Sequence, residues 1–94
     1  MLVVDVEASG VEAHKHSIVS VGALDLSNPT NRFYEECHVW DGAHIMDDAL
    51  AVDGFTREQI TDPKKQSEAD LTHAFLHWRD GLEVRTLSGQ NVSF

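Results

Sequence analysis

Two carboxylates stand two residues apart, Asp5 and Glu7, in the run Leu2-Val3-Val4-Asp5-Val6 and its continuation Glu7-Ala8-Ser9-Gly10. In a strand, residues i and i+2 project to the same side, so both acids leave a Val- and Leu-rich segment together. Two like charges at that spacing do not both ionise without cost, and one pKa rises. A divalent cation relieves the repulsion, and hard cations such as Mg²⁺ take oxygen ligands. The plainer reading ends the strand at Asp5 and lets Glu7 open a solvated loop. A D-x-E triplet by itself favours the plainer reading, since such triplets are common and unspecific.

The other groups able to do chemistry carry less. His73 and His77 lie four apart on a predicted helix, a spacing that metal pairs use. They fall opposite its apolar face, near Asp70, and no Glu completes an H-E-x-x-H, so they read as solvated surface. His14 and His16 flank Lys15 in the first loop. They offer a small basic spot beside Asp5 and Glu7 for a phosphate, although loop histidines ordinarily face solvent. His38 and His44 join no constellation. Cys37, the single cysteine, excludes a disulfide framework and a Cys-based zinc site and reads as a small buried hydrophobe. Trp78 reads as packed, and Trp40, near a sheet edge, as packed or exposed.

The elements that must position these residues follow from the pattern. Residues 2–6 read as a strand buried on both faces, followed by a loop of small residues running to Lys15. Residues 16–26 form a second strand. One face carries Ile18, Ser20, Gly22 and Leu24, the other Val19, Val21 and Ala23, so it too reads as interior. Ser27-Asn28-Pro29-Thr30-Asn31 is turn chemistry. Residues 33–40 make a third strand, whose mixture of Phe33, Cys37 and Val39 with Glu35, Glu36 and His38 suits a sheet edge. Short links between three consecutive strands imply an antiparallel meander.

Asp47-Asp48 then opens a short helix that Gly54 is placed to end. Thr56 and Gln59 have capping-box spacing, and Asp62-Pro63 stops that helix early. Ser67 caps a longer helix to about Gly81, with Leu71, Ala74, Phe75, Trp78 and Leu82 on one face. Residues 84–87 read as a fourth strand, and the helical crossover lets it run parallel to the first. The expected fold class is α/β with a mixed sheet.

Composition sets the bounds. Ninety-four residues allow one domain at most. At 41% hydrophobic the chain is expected to fold rather than to be disordered. Sixteen acids against seven bases, a formal charge of −9, argue against a passive polyanion binder gripping through a basic patch. No run approaches about 18 apolar residues, so no membrane span or membrane partner is expected. No basic region with a longer apolar stretch follows Met1, so no signal peptide is visible and the expected location is the cytoplasm.

The stretch Val4-Asp5-Val6-Glu7-Ala8-Ser9-Gly10-Val11, followed by Ile18-Val19-Ser20-Val21-Gly22-Ala23, resembles the first motif of the DnaQ-like, or DEDD, 3'-5' exonucleases. Those enzymes show D-x-E-x-[TS]-G, a short loop and a strand ending near Gly-Ala. Three further pieces agree in order. Residues 49–56 (ALAVDGFT) resemble the family's segment after the third strand, and residues 71–78 its amphipathic helix. Residues 87–94 (LSGQNVSF) resemble the approach to the second motif, N-x-x-F-D. The resemblance covers essentially the whole chain.

What it implies is a ribonuclease H-like domain over residues 1–94, partial because the second-motif Asp and the third motif would follow Phe94. It implies two-metal hydrolysis of phosphodiesters from the 3' end of single-stranded DNA or RNA with Mg²⁺ or Mn²⁺. Asp5 would bridge both ions and Glu7 would ligate one. The chain as written is expected to be inactive or nearly so, with weak divalent binding at Asp5 and Glu7. The backbone of Ala8, Ser9 and Gly10 would approach the terminal sugar. Val11, Val52, Phe55 and Phe94 would wedge or stack on terminal bases, and Asn91 would hold backbone or sugar. For Val52, core packing is an equal reading. Asp53 departs from the Asn or His usual in the family, and an acid there would repel a phosphate. A polymerase or other protein partner is left open. The alternatives are a non-catalytic domain of the same fold binding nucleic acid or protein, and an acidic interaction module in which Asp5 and Glu7 stand apart.

Overall fold

A computed structural model describes residues 2–82 and 87–90. Strand β1 (Leu2–Ala8), strand β2 (Ile18–Asp25) and strand β3 (Arg32–Glu36) form an antiparallel meander. Helices α1 (Asp47–Asp53), α2 (Arg57–Ile60) and α3 (Glu68–Asp80) follow. The four residues Leu87–Gln90, strand β4, run parallel to β1 with Leu87 opposite Leu2, giving the sheet order β3-β2-β1-β4. The sequence places a strand at residues 84–87, of which 84–86 lie outside the described residues.

Local chemistry explains the helix boundaries. Gly54 ends α1 in the left-handed region at φ 80° and returns its N–H to the Leu50 carbonyl. The Thr56 hydroxyl accepts from the Gln59 N–H at 3.2 Å while the Gln59 side chain accepts from the Thr56 N–H at 2.9 Å, the reciprocal pair expected of a capping box. The Ser67 hydroxyl accepts from the Asp70 N–H at 3.1 Å and starts α3.

The apolar stripe of α3 covers one face of the sheet. Leu71 is fully buried and clusters with Leu2, Val4, Val21, Ala23, Cys37 and Leu82. Phe33, Phe75 and Trp78 pack against that cluster with ring centroids 5.7–6.1 Å apart. The Trp78 indole N–H donates to Asn31 Oδ1 at 3.0 Å, so the large ring buries its body without orphaning its donor. A second cluster, Val19, Leu50 and Ile60, fixes α1 and α2 beside the sheet. Each fully buried aliphatic side chain stabilises the fold by about 1.5–3 kcal/mol relative to exposure.

Three expectations change. β1 is buried on one face only: Leu2 and Val4 are in the core, whereas Val3 and Asp5 are exposed. A Val-rich run is read as doubly buried because its apolar residues occupy both faces, but α3 covers only one. β1 also continues to Ala8, so Glu7 is a strand residue. β3 ends at Glu36, short of residue 40, because Cys37 turns inward to pair with Gln66, and the His38 and Val39 N–H groups donate to Gln66 and Ile60 carbonyls. The expectation that β3 forms an edge agrees with the observed order.

Candidate active site

Strand register builds the site. Asp5 sits opposite Gly22, and Gly22 opposite Tyr34. One row along, Glu7 sits opposite Ser20, and Ser20 opposite Glu36. Directly opposed residues of antiparallel strands share a face, so these six positions look the same way, away from α3. They floor and flank an open cleft of about 480 Å³. Its remaining wall comes from Asp53 and Gly54 at the end of α1, with Phe55 and Gln59 beyond.

The two sides of the cleft differ electrically. On β1, partial burial and the neighbouring Glu7 charge push the Asp5 carboxyl above its ordinary range. Glu7 is pushed up to about 7, chiefly by a hydrogen bond shared with Asp53, then by burial and by the Asp53 charge. One Asp53 oxygen, Oδ2, is buried with no hydrogen-bond partner among the described residues. On β3 the opposite holds. Glu36 accepts from Lys65 Nζ at 2.7 Å and from the Tyr34 hydroxyl at 2.6 Å, and these bonds hold its carboxyl below the usual range. The Lys65 ammonium also lies 5.4 Å from the Phe55 ring centroid. One wall thus carries compensated charge and the other three crowded carboxyls.

Such crowding suits a divalent cation: the donors are hard oxygens, and the raised carboxyls of Asp5 and Glu7 mark charge that lacks a counter-charge. Among the described residues, no group of three or more His, Cys, Asp or Glu has metal-holding geometry. Asp5 and Glu7 therefore fit as one or two carboxylates on a largely hydrated ion, the manner in which Mg²⁺ is commonly held.

The loop after β1 is held from several directions. The Ser9 hydroxyl donates to the His44 carbonyl at 2.7 Å and accepts from the Ser17 N–H at 2.9 Å. Its backbone N–H donates to Ser17, and its carbonyl accepts from Met46. Ser9 is fully buried, so its polar groups are committed to the fold. Gly10 lies against the His16 imidazole so closely that a Cβ would collide with the ring. His16 is only 5% exposed, contrary to the expectation for a loop histidine, and meets His44 edge to face at 6.2 Å. Glu68, the first residue of α3, accepts from the Ser17 hydroxyl at 3.0 Å and the Ile18 N–H at 2.8 Å, which ties the start of β2 to the helix.

The structure thus brings Asp5, Glu7 and Phe55 to one cleft. Ala8 is half-buried, and Ser9 and Gly10 are buried behind the loop. Val11 and Val52 are 79% and 86% exposed, which removes the core reading of Val52. Asn91 and Phe94 lie outside the described residues. Sequence reasoning missed Tyr34, Glu36 and Glu68. The alternation of residues 33–36 carried the signal for the first two, since a meander places Tyr34 and Glu36 on the Asp5 face.

No family model matches the chain, and no curated protein matches it. Solved structures do. Cell-death related nuclease 4 (CRN-4) superposes with a TM-score of 0.65 at 14% identity over 94% of this chain and 33% of its own. A 3'-exonuclease described for 3'-end specific recognition of a histone mRNA stem-loop superposes at 0.64 and 16% identity over 94% and 34%. At that identity the likeness is one of fold. The chain spans about a third of the length of either neighbour.

Proposed function

We propose that the chain carries the first-motif part of a ribonuclease H-like 3'-5' exonuclease domain of the DnaQ-like kind, whose substrate is the 3' end of single-stranded nucleic acid. The observation that carries this reading is the placement of Asp5 and Glu7 side by side on the open face of a nuclease-like sheet, with both carboxyls raised. The two nuclease neighbours support the fold half of the argument. No helix of the described residues is long and apolar enough to cross a membrane.

In this reading Asp5 and Glu7 hold the divalent cations, and Ala8 to Val11 and Phe55 border the substrate. Bound Mg²⁺ or Mn²⁺ would polarise the scissile phosphate and lower the pKa of an attacking water. The residues present do the rest. Glu7 must release its proton to become a full ligand, so cation binding strengthens as pH rises through about 7. The hydrogen bond to Asp53 holds that proton on Glu7 and opposes its release. Phe55, steadied by Lys65, offers an apolar ring at the rim, and stacking there tolerates any base.

Isothermal titration of this chain with Mn²⁺ tests the ligand assignment: Asp5→Ala should abolish binding, and identical binding would sink it. A nuclease assay of the complete protein on end-labelled single strands tests the reaction. Mg²⁺-dependent shortening from the 3' end, lost in Asp5→Ala, is expected. A fold-sharing domain without catalysis would bind the strand and leave it intact.

A further inference from the structure

Gly22 has no backbone reason to be glycine. It lies in the middle of β2, and its φ lies outside the positive region that disfavours side chains. A Cβ there would meet only Tyr34 Cδ1, at 3.6 Å, which is ordinary van der Waals contact. Glycine in a strand interior weakens the strand, and such a position often marks close approach by a ligand or another backbone. The neighbours in register show what would approach. Asp5 stands on one side and Tyr34 on the other. With strands about 4.8 Å apart, side chains about 10 Å apart flank a position that has none.

The Tyr34 wall is prepared for a flat ring. Tyr34 is 59% exposed although its hydroxyl is already bonded. That bond, 2.6 Å to Glu36, fixes the ring, and Lys65 fixes Glu36 in turn. The Glu36 charge is compensated, so this wall repels an anionic ligand less than the β1 wall does. An exposed, immobilised aromatic face binds a base by stacking with little loss of side-chain freedom.

We infer that the trough floored by Gly22 and walled by Tyr34 is a nucleobase subsite, in which a base stacks on the Tyr34 ring while its phosphate lies toward Asp5 and Glu7. This rests on the nuclease reading and adds a residue on β3 that neither the first motif nor the loop contains. Because the base is recognised by its π-face, the subsite accepts any base.

The test is an NMR titration of this chain with thymidine 5'-monophosphate in the presence of Mg²⁺, following Tyr34 ring protons and the Gly22 and Glu7 amides. Stacking predicts ring-current shifts at Tyr34 and Gly22. Tyr34→Ala should weaken binding at least about tenfold. Tyr34→Phe, which keeps the ring, should stay within about twofold. Gly22→Val should weaken binding at least about tenfold without lowering the melting temperature, and Gly22→Ala serves the same purpose if the larger residue disturbs the fold. Shifts confined to Glu7, with affinity unchanged in Tyr34→Ala and Gly22→Val, would overturn the subsite and leave the nuclease reading standing. No shifts at any of the three positions would likewise overturn the subsite, while the nuclease reading stands or falls on the assay of the complete protein.

Discussion

Replacing Asp53 by asparagine isolates the electrostatics of the cleft. In the wild type Glu7 titrates at about 7 instead of 4.5, a rise of about 2.5 pH units caused first by the bond to Asp53. Because the folded state holds this proton more tightly than the unfolded chain, its contribution to stability is full below pH 4.5 and is lost as pH rises through about 7. At about 1.36 kcal/mol per pH unit the loss would be about 3 kcal/mol with both groups sealed from water. The cleft is open to solvent, and screening reduces this to about 1–2 kcal/mol. The amide that replaces the acid carries no charge, so Glu7 should return toward its ordinary range. The Asp53→Asn variant is expected to be more stable than wild type by about 1–2 kcal/mol at about pH 8 and by little or nothing at about pH 4. Removing an acid from the end of α1 adds a few tenths of the same sign. Urea denaturation at both pH values reads this as a midpoint difference of about 1 M at the higher pH. The same offset at both pH values, or a destabilised variant at the higher one, would refute the coupling of Glu7 to Asp53.

Two further perturbations probe the loop that follows the acids. Gly10→Ala should cost about 1–3 kcal/mol in chemical denaturation, because its Cβ would run into the His16 ring. Combining it with His16→Ala should cost less than the sum of the single changes, the signature of a direct contact. Glu68→Gln should cost about 1.5–3 kcal/mol, since the Ser17 hydroxyl and Ile18 N–H lose a charged acceptor, with amide exchange accelerated at Ile18.

What was legible in the sequence was local. The caps at Thr56 and Ser67 and the stop at Gly54 depend on neighbours within a turn, and the structure repeats them residue for residue. The stripe of α3 was equally plain because its period needs no partner. The burial of β1 was not, since Val3 is exposed only because α3 covers the opposite face. The end of β3 was hidden for a similar reason: Cys37 leaves the strand to meet Gln66, far along the chain. His16 reads as a loop histidine from its neighbours in sequence, yet its ring rests on Gly10, and no local pattern announces a glycine chosen for a neighbour's ring. Asp5 and Glu7 were legible as a pair, and the partnership of Glu7 with Asp53 required α1 to be laid against the sheet.

The one-sided burial of β1 also bears on how the chain finds its fold. A strand with valines on both faces has two ways to lie on a helix, and a slip of one residue exchanges them. In this strand the slip would place Asp5 and Glu7 beneath α3 among Leu71 and Phe75 and turn Leu2 and Val4 to solvent. Burying one uncompensated carboxylate costs several kcal/mol, and two would exceed what the misplaced valines recover. The acids therefore proofread the pairing of β1. A pair of acids crowded with Asp53, and so costly to the finished protein at neutral pH, rules out its nearest misfolded competitor, and replacing both acids with leucine would stabilise the strand while removing the reason for its register.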